Sequence, residues 1–184
     1  MTLLEEHGQV LPGRIRLILC SALILLRNRD LLDPTDLLPL FFRLFRVPDK
    51  NMRSLLFNHI IADVKNVNKK GANNKLNSKL QGFMYTMLKD NQIMAARMSL
   101  RVMTTLYRKQ IWCDAKTVNV VATAIMSKHV KLCMTGIRFF LGVDDAAEGE
   151  ADSDAEVASF RNIFWPSILT LKLTLTLTHV LYVG

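Results

Sequence analysis

Four histidines (His7, His59, His129, His179) and three cysteines (Cys20, Cys113, Cys133) are the side chains best suited to metal ligation or nucleophilic catalysis. No H-x-x-x-H pair and no Cys or carboxylate partner at ligand spacing accompanies them, so a metal centre is not indicated. His59 and Asp63 lie one helical turn apart and read as a satisfied helical pair rather than a catalytic dyad. Cys113, between Trp112 and Asp114 at a helix start, stands where a thiolate nucleophile could be activated. No base is near it in sequence, and it reads as a small buried residue at a loop–helix junction. Gly71 and Gly82 stand alone, outside any phosphate-loop spacing. No catalytic, cofactor or small-molecule site emerges.

Charge points elsewhere. Lys65, Lys69, Lys70, Lys75 and Lys79 fall in one acid-free, Asn-rich stretch, and each could meet a phosphate. No aromatics interleave with them, so base stacking on a single strand is not indicated. Arg97, Arg101, Arg108 and Lys109, on one later helix, would extend that surface. Residues 1–143 hold 22 basic and 9 acidic residues, whereas residues 144–157 hold seven acids and no base. A basic body of this kind suits a polyanionic partner. Within the acidic stretch, Ser153 has acids on both sides and at the third position after it, the pattern of an acid-directed phosphosite.

The elements that must position these groups are helices. With 184 residues and 50% apolar content the chain can bury one sizeable core. An odd cysteine count without close pairs argues for reduced thiols and against a disulfide framework. The first residues show no signal-peptide pattern, and no apolar run reaches the roughly 18 residues of a membrane span, so a soluble intracellular body is expected. An apolar helix is expected from Pro12 to about Arg27. Asp33-Pro34 supplies an N-cap and a first-turn proline for the next helix, and Phe41, Phe42 and Phe45 on it read as core-filling. Asp49 opens another helix, and the polar stretch 67–74, with Gly71, reads as a loop. Further helices are expected at about 75–89, 91–109, 115–128 and 129–141. Asp49 and Asp90 begin similar helix starts 41 residues apart, a period of HEAT and armadillo pairs, and Asp114 begins a third. The expected fold class is all-α, a HEAT/armadillo-like fragment of antiparallel helical pairs whose inner helices start near Asp49, Asp90 and Asp114.

Longer strings make the pattern specific. Leu23-Ile24-Leu25-Leu26-Arg27-Asn28, Leu40-Phe41-Phe42-Arg43-Leu44-Phe45-Arg46 and His59-Ile60-Ile61-Ala62-Asp63-Val64-Lys65-Asn66-Val67-Asn68 are three of them. Gln81-Gly82-Phe83-Met84-Tyr85-Thr86-Met87-Leu88, Ile111-Trp112-Cys113-Asp114-Ala115-Lys116-Thr117-Val118-Asn119-Val120 and Phe139-Phe140-Leu141-Gly142, followed by acids, are the others. Over about residues 15–157 the chain resembles the Severe Depolymerization of Actin (Sda) family. That resemblance implies a nucleolar factor of large-ribosomal-subunit (60S) assembly and nuclear export, without catalysis. Its partners would be the pre-ribosomal particle's RNA and assembly proteins, and any link to actin cytoskeleton organisation would be indirect. Family members are several times longer, so a partial chain is expected.

The resulting division is an N-terminal extension (1–11) that is not itself a structural unit, a helical scaffold (12–143), an acidic disordered linker (144–157) and a non-family tail (158–184). In the tail, Leu169, Leu171, Leu173, Leu175 and Leu177 alternate with polar residues as in a lone strand. The rival to a ribosome-assembly scaffold is a HEAT-type, protein-only adaptor in protein transport. The lysines separate the two.

Overall fold

The computed structural model describes residues 1–142 apart from 70, 72, 90 and 91. The described residues form eight helices and no strand: α1 Thr2–His7, α2 Gly13–Asn28, α3 Pro34–Leu44, α4 Lys50–Asn68, α5 Asn74–Leu88, α6 Ile93–Arg108, α7 Ala115–Ile125 and α8 Val130–Phe140. The acidic stretch with Ser153, the leucine-alternating tail and Asp90 lie outside the described residues.

Side-chain caps set several starts. Asp33 accepts from the Thr35 amide at 2.7 Å with Pro34 in the first turn, and Asp49 accepts from the Met52 amide at 3.0 Å. Asn73 accepts from Leu76 at 3.1 Å and Asp114 from Thr117 at 2.7 Å. Each satisfies a helix-end N–H that would otherwise lack a partner, worth about 1 kcal/mol. At the turn between α4 and α5, Gly71 adopts a φ of +132°, a conformation strained for any L side chain.

Residues Met1–Ala124 form one compact unit. Within it the helices pack in two rows. In one row α2 packs on α4 and α4 on α6; in the other α1 packs on α3 and α3 on α5. Contacts of α3 with α4 and of α5 with α6 join the rows. This packing of α1 to α4 each on the next helix but one is the HEAT-type, α-solenoid arrangement. Pro34, Asn74 and Ala115, which start α3, α5 and α7, follow one another at 40 and 41 residues. The core runs along α3, where Leu37, Leu38, Phe41, Phe42 and Phe45 are all 0% exposed. Phe42 meets Phe45 edge-on at 5.7 Å. A second unit begins at Ile125, and its described helix, α8, buries Leu132, Cys133 and Met134.

Four expectations are corrected. Residues 1–11 do hold structure: α1 buries Leu4, and Glu5 forms an ion pair with Arg43 of α3. The loop expected from Val67 begins later: α4 continues through Asn68, whose side-chain amide donates to the Val64 carbonyl at 2.8 Å. α7 ends at Ile125 rather than 128, and the Ser127 hydroxyl then accepts from the His129 amide at 3.1 Å. Finally, Asp114 does not open a helix of the same row as Asp49. It starts α7, which is tied to α5 through Gln81 and Ser78.

Candidate nucleic-acid interface

Lys65 and Lys69 occupy the last turn and C-cap of α4, and Lys75 and Lys79 the first two turns of α5. All four are exposed, and among the described residues none holds an ion pair; Lys70 lies outside the described residues. Each pair is spaced i,i+4, about 6 Å along its helix axis. The buried positions of α5 are Leu76, Asn77, Leu80, Gln81, Met84 and Met87, so Lys75 and Lys79 stand on its opposite face. Lys65 and Lys69 share the exposed face of α4 with Asn58 and Ala62. The structure thus makes two lysine pairs, one on the outer face of each helix flanking the turn, rather than one flat patch.

An amide clasp that sequence reasoning missed fixes the two helix ends. The Asn68 amide donates to Asn77 Oδ1 at 3.1 Å, the Asn77 amide returns to Asn68 Oδ1 at 2.8 Å, and the Asn73 backbone N–H donates to that same oxygen at 2.9 Å. Asn77 is only 7% exposed, so its amide must find protein partners. The sequence signal was two asparagines flanking a polar turn, and nothing in it shows that they meet. Charge also reaches Asp33 of α3: hydrogen bonds from Thr35 hold its carboxyl below the usual range, and Lys79 helps.

The later arginines extend this surface little. Arg97, Arg101 and Arg108 are half-buried, and the Arg101 guanidinium lies 5.1 Å over the Phe57 ring of α4, so it serves helix packing. Lys109 is exposed. Tyr85, an exposed aromatic on α5, is covered by Lys89 at 4.3 Å.

The residues weighed for catalysis resolve otherwise than expected. Asp63 does not pair with His59. Both its oxygens accept from Arg27 Nε of α2 at 3.1 Å, with side-chain exposures of 10% for Arg27 and 7% for Asp63. The His59 ring rests edge-on against Phe41 at 5.6 Å, with Nε2 buried and unpartnered. Burial lowers the His59 pKa; Asp63 opposes this and Arg27 adds to it. Cys113 is exposed rather than buried, its thiol 3.2 Å from Gln110 Oε1, and the buried residue of that junction is Trp112. Among the described residues, no three His, Cys, Asp or Glu side chains gather to hold a metal ion.

A second missed feature repeats. Asp49 caps α4 with one oxygen, and the other accepts from Arg16 of α2 at 3.0 Å. Asp114 caps α7 with one oxygen, and the other accepts from Gln81 of α5 at 2.7 Å. Both donors stand 33 residues before their aspartate. The Asp49 carboxyl is held below its ordinary range chiefly by the Met52 amide, with Arg16 contributing. Burial works against ionised Asp114, but hydrogen bonds from Gln81 and Thr117 outweigh it and its pKa is lowered too. Arg53, which follows Asp49 on α4, makes no such tie and turns back to the Val47 carbonyl at 3.0 Å.

Comparison with known proteins places this arrangement. The chain matches the family described as "SDA1, HEAT repeat" over residues 1–173, a span that takes in residues 1–11 and continues past residue 157. A protein of Nematostella vectensis named Protein SDA1 homolog is 47% identical over 176 residues, covering 95% of this chain and 26% of that relative. The protein of the same name from Xenopus tropicalis is 51% identical over 144 residues, covering 78% of this chain and 21% of the relative. Protein sda1 of Schizosaccharomyces pombe is 29% identical over 166 residues, with 78% and 23% covered. The chain spans about a quarter of the length of these relatives.

Proposed function

The chain belongs to the SDA1 HEAT-repeat family, and from that premise we propose that it is a non-catalytic scaffold of 60S ribosomal-subunit biogenesis and export. It acts in the nucleus and nucleolus, and contacts pre-ribosomal RNA together with assembly proteins; any part in actin organisation is indirect. Lys65, Lys69, Lys70, Lys75 and Lys79 meet the RNA phosphates.

The observation that carries this reading is the pair of exposed lysine couples held on either side of one clasped turn. Lysine is a compact, strongly hydrated charge, suited to phosphate as a point contact. With Tyr85 of α5 covered by Lys89, the described part of this surface offers charge without stacking, which favours sequence-independent backbone contact.

The test is RNA affinity as a function of salt. Five phosphate contacts on a single strand give a slope of log K against log salt of about −3.5. Changing all five lysines to Ser flattens that slope and leaves the melting temperature nearly unchanged, because the four described ones are exposed. RNA affinity that is equal before and after the change refutes the reading and favours the protein-only adaptor.

A further inference from the structure

The lysine turn between α4 and α5 lies on one edge of the helical stack. α2 and α4 run parallel, since Arg16 meets Asp49 near their starts and Arg27 meets Asp63 near their ends. α5 and α7 are parallel too: Gln81 reaches Asp114, and Lys116 reaches Ser78, near the starts of both. The end of α6 is drawn to the same edge. The Ile111 and Trp112 amides donate to the Leu106 carbonyl of its last turns at 3.0 and 3.4 Å, and Asp114, two residues on, is already bonded to α5. The ends of α2, α4 and α6 and the starts of α3, α5 and α7 therefore share this edge. Its charge is uneven. The α2–α3 junction exposes Asp30, Asp33 and Asp36 beside Arg29. Beyond it stand Lys65, Lys69, Lys75 and Lys79, and then, at the α6–α7 junction, Lys109 and Lys116, both exposed. The Lys116 ammonium donates to Ser78 Oγ at 2.8 Å and to the Ser78 carbonyl at 3.1 Å. Both acceptors are neutral, so the charge is held in place without being cancelled, and a third N–H is left for an outside acceptor. Ser78, three residues from Lys75, is its neighbour on the α5 surface, so Lys116 joins the α5 lysines from another helix. Asp114, the acid nearest in sequence, already has both oxygens engaged, by Gln81 and the Thr117 amide.

Granted phosphate contact by the first five lysines, as given above, we propose that the RNA surface continues along this edge to Lys109 and Lys116. One RNA backbone then crosses both turns and runs away from the acids at the start of α3. Ammonium groups without an apolar anchor among them suit a phosphate backbone, whereas lysine is depleted where proteins dock on proteins. Cys113 is exposed between the two added lysines, so RNA on this edge covers its thiol.

The experiment measures binding of an oligouridylate, long enough to span both turns, to the full chain by fluorescence anisotropy across a salt series. The parent is compared with Lys109→Ser/Lys116→Ser and with the variant in which the first five lysines are Ser. Losing two contacts makes the slope of log K against log salt shallower by about 1.4, at unchanged ellipticity and melting temperature. In the parent, bound oligouridylate also slows modification of Cys113 by a disulfide reagent. Equal slopes for the parent and the double variant, with the five-lysine variant flattened, overturn the extension and leave the first five contacts standing. A Cys113 rate that RNA leaves unchanged overturns it as well. Affinity that neither variant alters removes the phosphate contacts altogether, and the extension with them. Polyglutamate that binds as tightly as the RNA, and loses that binding in the double variant, shows that the edge takes an acidic protein instead.

Discussion

Removing Asp63 is the sharpest test of the packing between α2 and α4. Arg27 and Asp63 are both at least nine-tenths buried, and the Arg27 Nε–H is shared between the two carboxylate oxygens at 3.1 Å. Breaking a buried ion pair from one side costs about 3–5 kcal/mol, because the remaining charge stays buried and unpaired. In Asp63→Ala that cost is reduced, since Arg27 keeps Asp30 at 3.0 Å and the Leu32 carbonyl at 3.2 Å. About 2–3 kcal/mol is expected. Arg27→Met leaves the Asp63 carboxylate with no such reserve and should cost more, about 3–4 kcal/mol. Replacing both, Arg27→Met with Asp63→Leu, substitutes apolar contact for the pair and should lie within about 1–2 kcal/mol of the parent. The assay is urea unfolding followed by helical ellipticity, read as a double-mutant cycle. Single costs that simply add, or an Asp63→Ala cost below about 1 kcal/mol, would show that the pair is a bystander.

Acid should weaken the fold by two routes. His59 has a lowered folded pKa, so the unfolded chain binds more protons and stability falls as pH drops below about 6.5. His59→Phe should lessen that loss between pH 6.5 and 5; an unchanged pH profile would refute it. Asp49 and Asp114 are also held low, so the stability they contribute is present above their unfolded pKa near 3.8 and is lost as pH falls through their folded values. Asp49→Asn and Asp114→Asn should flatten the loss below pH 4, measured by ellipticity. Of the three thiols, Cys113 should react quickly with a disulfide reagent in the native chain. Cys20, buried and with its pKa pushed up to about 11, and buried Cys133 should react only on unfolding; a second fast thiol would contradict the burial.

Local signals carried far in this chain. Asp33-Pro34, Asp49 and Asp114 announced helix starts that the structure realises within a residue or two, because an N-cap acts through the next three residues only. The Phe41-Phe42-Phe45 cluster likewise declared the core, since no surface position suits three large aromatics. What failed was non-local. Periodicity shows that α7 is a helix but not that Gln81 and Ser78 draw it into the row of α5. His59 and Asp63 share a helix face, yet an arginine 36 residues earlier outcompetes the histidine for the carboxylate. α1 was missed because six residues are too few for a periodic signal, and tertiary contact with α3 holds it in place. For the lysines, sequence gave the charges, and the clasp that orients their helices came only with the fold.

The doubly used aspartates explain how a stack without strands keeps its register. Apolar ridges alone let one helix slide on another at small cost, since neighbouring turns look alike to a row of leucines. Asp49 removes that freedom. Its carboxylate is fixed to the first turn of α4 by the Met52 amide and, through Arg16, to α2, while Arg16 also holds the Leu11 carbonyl at 2.7 Å. A slip of one turn would break the tie between helices while leaving the cap intact. Asp114 repeats the logic with a neutral donor, Gln81, whose amide also reaches the Thr117 hydroxyl at 3.0 Å. In both cases the local cap and the contact between helices share one side chain. Starting a helix and docking it are therefore coupled, which is the nearest-neighbour cooperativity that a solenoid needs when no single core spans it.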